Sequence, residues 1–306
     1  MDTIDWLLNS DPAISWQAMR DLTDASPTAI AGERARVPRE GVGAEILARQ
    51  GPDGAWRRAG APDWLPTLYT LLLLRATGVD RTEPAVESAV ARLEAGFRWH
   101  ESLGAKTFFE GETEPCINGG TLALGAYFGR PTESLARRLV GEQLDDGGWN
   151  CDAPKSARSS FHTTICVLEG LLEYERAVGS APEIAAARRR GEEYLLKRVL
   201  FRRLSTGEAA NRSFLTFAFP PRYRYDVLRA LDYFRDAGIH LDARLGDALH
   251  VVESRRQADG RWLLDAAHNE AMAVPTGESV GEPSKWITLR ALRVLRWYER
   301  PRLEQR

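Results

Sequence analysis

The residue types best suited to chemistry in this chain are three cysteines, Cys116, Cys151 and Cys166, and the histidine His162. Thiolates and imidazoles bind soft metal ions and serve as nucleophiles or bases. Each also has a plain alternative. A cysteine at a helix start commonly packs as a small apolar residue, and a histidine there often serves only as a cap. Cys166 sits among Ile165, Val167 and Leu168 and reads as core, whereas Cys116 follows Glu114 and Cys151 precedes Asp152. Two further segments stand out. Pro220 to Asp226 alternates Arg222 and Arg224 with Tyr223 and Tyr225, a pattern that suits either an anionic head group or inter-helix salt bridges. Trp262 to Trp286 is long for a helix connection and carries His268, Glu270 and Glu278 with Gly277 and Gly281, as a lid or an ordinary surface loop would.

The elements that position these residues follow from a repeat. Gln50 to Trp56, Gln143 to Trp149 and Gln257 to Trp262 share one phrase: Gln, a short spacer, Asp-Gly, then Trp. Gly supplies the positive φ of the turn and Asp bonds its local backbone, so the phrase reads as architecture that ties one helix end to its neighbour. A polar, Arg-rich amphipathic helix precedes each turn or its equivalent, as in Ser134 to Gln143, Glu183 to Arg198 and Ala243 to Gln257. A more apolar helix follows. Six such segments are expected near 13–23, 64–76, 116–128, 161–176, 223–237 and 285–298. Helices apolar on most faces lie inside and half-polar ones outside. Alternation of period two is nearly absent, so the chain is expected to be all-α.

Composition bounds the remaining classes. With 306 residues, a net charge of −2 and 43% hydrophobic residues, the chain can bury a large core without disulfide or metal staples. A near-zero charge excludes a strongly basic nucleic-acid footprint. The acidic Met1 to Asp5 start has no signal-peptide pattern, and the apolar run at Leu71 to Leu74 is far too short for a transmembrane segment. An odd number of cysteines suits a reducing, cytoplasmic setting.

The Gln–Asp-Gly–Trp phrase resembles the QW-type repeat of squalene–hopene cyclases and protein prenyltransferase β subunits. The resemblance implies six inner and six outer helices in a closed (α/α)6 toroid that takes up residues 1–306 as one domain. It also implies an active site in the central cavity, at the N-terminal ends of the inner helices. The acids of the cyclases are missing: there is no DxDD, and where a DDxxD reading of Asp145-Asp146 needs its last Asp the chain has Trp149.

A second stretch is similar to the zinc-histidine region of prenyltransferase β subunits. It runs Gly147-Gly148, Asp152-Ala-Pro154, Lys155-Ser156, Phe161-His162-Thr163 and then Gly170-Leu171. The resemblance implies that His162 is a zinc ligand and that Glu114-Pro115-Cys116 stands for the family's Asp-x-Cys. Glu114, Cys116 and His162 would hold Zn2+ with one position open. Cys151 is an added candidate, as in the Cys-Cys-His set of lanthipeptide cyclases, whose WCxG and CHG phrases are absent. Asp152 or Cys151 would act beside the metal. Lys155, Arg222, Arg224, Tyr225, Tyr69 and Trp286 would contact the substrate, a small apolar or isoprenoid-type molecule. One departure is marked: Glu110, Glu112 and Glu114 replace the basic residues with which the family meets a diphosphate. Two other readings remain open. One is a non-catalytic binding toroid. The other is a carboxylate-based hydrolase drawing on Glu110, Glu112 and Asp152.

Overall fold

A computed structural model describes residues 2–62, 64–239, 242–269 and 272–304, so Glu270 lies outside the described residues. These residues form an all-helical protein whose only extended pairings are isolated β-bridges. The helices are α1 (Thr3–Leu8), α2 (Pro12–Leu22), α3 (Pro27–Arg34), α4 (Gly41–Ala48), α5 (Trp64–Ala76), α6 (Pro84–Gly96), α7 (Pro115–Tyr127), α8 (Glu133–Gly141), α9 (Phe161–Val178), α10 (Pro182–Lys197), α11 (Val227–Asp236), α12 (Gly246–Ser254) and α13 (Lys285–Glu304). Among the described residues no helix is long and apolar enough to cross a membrane.

Five of the six apolar helices begin within one residue of the expected positions. The exception is α11, expected to start near 223. Its N-cap is Asp226, whose side chain accepts a bond from the Arg229 N–H, so helical backbone begins only at Val227. Residues 222 to 225 therefore belong to a loop, with Arg222 in a left-handed backbone conformation.

The repeat phrase works as a set of hydrogen-bonded locks. Trp56, Trp149 and Trp262 are fully buried. Their indole N–H groups donate to the carbonyls of Ile46, Leu139 and Val252, near the ends of α4, α8 and α12. Their backbone N–H groups donate to the hydroxyls of Thr67, Thr164 and Thr288 at 3.0, 3.1 and 3.0 Å. Each Thr is the fourth residue of the apolar helix that follows. Gln50 and Gln143 add a third tie, donating to the Ala89 and Ala187 carbonyls of the next polar helix. The Gln257 side chain instead donates to its local Arg255 carbonyl. Polar backbone groups at the helix ends are thereby satisfied inside the core.

Neighbours along the chain are neighbours in space. Helix α5 packs on α7, α7 on α9 and α11 on α13, and α13 packs on α2. Gln17 of α2 donates to the Ala76 carbonyl at the end of α5, and Arg229 of α11 clasps Glu169 of α9. The α7–α9 contact is the closest. A Cβ at Gly119 would lie 2.4 Å from the Cys166 carbonyl oxygen, and one at Gly170 would lie 2.4 Å from the Gly119 oxygen. Both positions therefore admit only glycine. The buried apolar residues form one continuous cluster.

The N-terminal ends of the apolar helices are filled. Phe214, Phe217, Phe219 and Tyr225 from the loop before α11 are buried, as are Met272 and Val274 from the loop before α13. The second loop is tied down where the Ala273 N–H donates to the Thr70 hydroxyl and Arg58 donates to the Met272 carbonyl.

Candidate metal centre and central cavity

The close approach of α7 and α9 brings two loops together. Glu114 is the N-cap residue of α7 and Cys116 lies in its first turn. Cys151 follows Trp149, whose carbonyl accepts the Ser160 N–H and so holds the loop before α9. Single ligand atoms of Glu114, Cys116 and Cys151 all lie within 4.8 Å of one another. The Cys116 thiol is 3.7 Å from a Glu114 carboxylate oxygen, and the Cys151 sulfur is 3.5 Å from the Thr163 hydroxyl. Glu114 is exposed, and both cysteines are half-buried.

The two sulfurs perturb each other: Cys151, together with burial, pushes the Cys116 thiol up, and Cys116 in turn holds the Cys151 thiol below its ordinary value. Behind them Glu112 is buried, and that burial raises its carboxyl above the usual range. Its backbone is clasped by Asn118, which accepts the Glu112 N–H at 2.7 Å and donates to the Glu112 carbonyl at 3.0 Å. Glu110 closes a capping box with Thr107. Both carboxylates therefore serve local structure.

Two thiols and a carboxylate form a donor set suited to Zn2+. His162 does not join it among the described residues. Its Nδ1 accepts the Tyr225 N–H at 2.9 Å, so the neutral ring carries its proton on Nε2 and offers no lone pair there. Burial, with Arg229 and Arg224 nearby, lowers the His162 pKa to about 4. Asp152 and Lys155 are exposed on the same loop, outside the ligand group.

A large cavity lies elsewhere among the helices. It measures about 960 Å³ and is lined by the C-terminal halves of α2, α5 and α9, by α3 and α11, by the first half of α13, and by the loop around Arg222. Its exposed rim includes Arg20, Asp80, Arg176 and Asp236, and its buried end includes Tyr69, Phe219 and Trp286. This cavity opens beside the C-terminal helix ends, while the aromatic-rich loop before α11 and the loop before α13 fill the N-terminal ends. Of the substrate residues read from the sequence, Tyr69, Arg222 and Trp286 line the cavity. Trp286 stacks on Phe219 at 4.3 Å, and the Arg222 guanidinium lies 4.3 Å above the Tyr69 ring. Tyr225 is instead core, its hydroxyl donating to the Leu200 carbonyl, and Arg224 is exposed outside the cavity. Tyr69, Leu72, Glu169, Arg222 and Arg229 also line a small gap that reaches Cys116 and Cys166.

Sequence reasoning missed the charged cavity wall. Arg75, Glu169, Glu173, Arg229, Asp232, Arg290 and Arg293 face the cavity from otherwise apolar helices. A charge inside an apolar stripe was the available signal. Asp232 meets three guanidiniums: Arg290 at 3.1 Å, Arg235 at 3.2 Å and Arg293 at 2.7 Å. Burial alone would raise its pKa, but Arg293, Arg235 and Arg290 outweigh burial and hold the carboxylate well below its usual range.

No family model and no curated protein matches the chain. Among solved structures it is similar to the crystal structure of a protein from Actinoplanes. That similarity has a TM-score of 0.50 at 14% identity and covers 94% of this chain and 88% of that one. It is a likeness of fold alone.

Proposed function

We propose that this chain is a single-domain (α/α)6 toroid of the cyclase–prenyltransferase kind and a zinc-dependent enzyme acting on an apolar or isoprenoid-type substrate. The toroid reading is supported by the neighbour order of the six apolar helices, which runs from α2 through α13 and back to α2. The metal reading rests on one observation: two sulfurs and a carboxylate, from loops 35 residues apart in sequence, lie within 4.8 Å of one another.

Glu114, Cys116 and Cys151 would hold the ion and leave one coordination position for substrate or water. At such a position a bound thiol or water loses its proton more readily. The chain's own residues prepare for this. Cys116 holds the Cys151 thiol below its ordinary pKa, which favours the deprotonated form that a metal takes. The Thr163 hydroxyl steadies Cys151, and the Asn118 clasp on Glu112 holds the loop that carries Glu114. His162, which the prenyltransferase resemblance places among the ligands, instead ties the α11 loop to α9 through Tyr225.

Elemental analysis of purified protein tests this. The expectation is one zinc per chain in the wild type, loss in Cys116→Ala and in Cys151→Ala, and retention in His162→Ala. Absence of zinc in the wild type overturns the metal reading and favours a non-catalytic binding protein. Zinc lost from His162→Ala but kept in Cys151→Ala would restore the ligand set of the prenyltransferase resemblance. The carboxylate-hydrolase reading has less support, because Glu110 and Glu112 are engaged in local hydrogen bonds.

A further inference from the structure

We propose that the central cavity binds an amphiphilic anion. Its phosphate or carboxylate would be held by cavity arginines, and its apolar part would rest against the Tyr69–Trp286 end. This goes beyond the metal reading and does not depend on it.

The cavity wall carries nine arginines against seven carboxylates. Every carboxylate is already engaged. On one side Glu169 takes both arms of Arg229, at 2.8 and 2.7 Å, while Glu173 serves Arg75 at 2.5 Å and Arg176 at 3.8 Å. On the other side Asp21, Asp232 and Asp236 answer four arginines. At the rim Asp80 is bonded to Thr82, and Glu83 is paired with Arg39. Each wall is thus left with more guanidinium than carboxylate.

Two arginines show the surplus directly. The Nε of Arg75 is buried without a hydrogen-bond partner among the described residues. Among the described residues Arg34 donates hydrogen bonds to neutral acceptors, the Gly78 and Val79 carbonyls and the Tyr127 hydroxyl. A guanidinium whose fork is not filled by carboxylate is suited to a bidentate oxyanion. A cation would meet net positive charge, and a neutral ligand would leave the Arg75 donor unmet at a cost.

Apolar side chains line a large part of the rest of the cavity, beside Gln17, Thr82, Tyr127 and Tyr233. Leu72, Leu73, Leu172 and Leu289 line it, with the stacked Phe219–Trp286 pair and Tyr69 at the buried end. A volume of about 960 Å³ accommodates a medium-sized organic molecule. Oxyanion donors on the wall and an aromatic floor specify a ligand with one charged end and one apolar end.

Calorimetry with octyl phosphate, octanoate, octanol, octyltrimethylammonium and inorganic phosphate tests the proposal at low and high salt. The expected result is one site for octyl phosphate or octanoate, bound at least about tenfold tighter than octanol and weakened by salt. The tighter of the two anions identifies the head group. Arg34→Gln and Arg75→Gln should each weaken anion binding by about tenfold while leaving octanol unchanged. Should Arg75→Gln fail to fold, the double variant Arg75→Gln/Glu173→Gln removes the buried pair together and carries the same expectation. Octanol or the ammonium binding as tightly as the anions overturns the proposal. So do wild-type affinity in the folded arginine variants, absence of anion binding, and inorganic phosphate binding with no gain from the octyl chain. Repeating the titration on Cys116→Ala separates this result from the metal reading, because anion affinity should not change there.

Discussion

Surroundings divide the three cysteines. Cys166 is buried against the Arg229 guanidinium, and burial pushes its thiol up to about 11. Cys116 and Cys151 are half-buried, and their mutual interaction lowers the Cys151 thiol and raises that of Cys116. Brief alkylation with iodoacetamide at neutral pH should therefore modify Cys151 first, Cys116 more slowly and Cys166 last, as peptide mass mapping would show. His162 carries a second expectation at this scale. Its folded pKa of about 4 lies below the usual value of 6.5. The unfolded chain therefore takes up the proton first as pH falls. Stability should be level above about pH 6.5 and should decline as pH falls from there to about 4. His162→Asn, whose side-chain oxygen can still accept the Tyr225 N–H, should flatten that part of the curve in urea titrations across pH. An unchanged slope would remove His162 as its cause.

Helices here are joined by polar contacts that must be met inside an apolar core. The Trp149 N–H is buried and has the Thr164 hydroxyl as its acceptor. Thr164→Val keeps the shape and removes the acceptor, so it should cost about 1–3 kcal/mol in chemical denaturation. Thr67→Val and Thr288→Val should do the same. The Gln and Trp of this lock were legible as a repeat, but the threonine was not, because its distance from Trp varies from 11 to 15 to 26 residues. Its constancy appears only when counted from the start of the following helix. The α7–α9 contact makes a further prediction. Gly119→Ala puts a Cβ against the Cys166 carbonyl and must push α7 from α9. The expected loss is about 1–3 kcal/mol and, on the proposed metal reading, weaker zinc binding, since the same approach aligns Cys116 with Cys151.

At the scale of the whole molecule, the ends of the chain meet through charge. Asp232 of α11 binds Arg290 and Arg293 of α13, and Arg293 also donates to Gln17 of α2. Asp232→Asn leaves these guanidiniums without their shared counter-ion and should cost about 3–5 kcal/mol, read as a lower urea midpoint. The folded carboxylate is held below its unfolded value, so its contribution is present above the usual Asp pKa and is lost only as pH falls beneath it. The variant's deficit should therefore be full at neutral pH and narrow in acid. The same seam borders the cavity, so the groups that close the chain on itself also make its interior cationic.

Helices, their order and the turns that lock them were decided by the sequence alone. Apolar spacing, Asp-Gly turns and proline at helix starts act between near neighbours, and that information survives without a fold. The thiol centre was half visible. Glu114 and Cys116 are adjacent in the chain, but the choice between Cys151 and His162 depended on where a loop places each side chain and on the Tyr225 N–H that occupies His162. The cavity was decided by tertiary structure. Its opening follows from which helix ends the loops before α11 and α13 fill, and its charge from pairs as far apart in sequence as Arg293 and Asp232. An excess of two arginines among nine is a sum over six helices. It exists only once they face a common space.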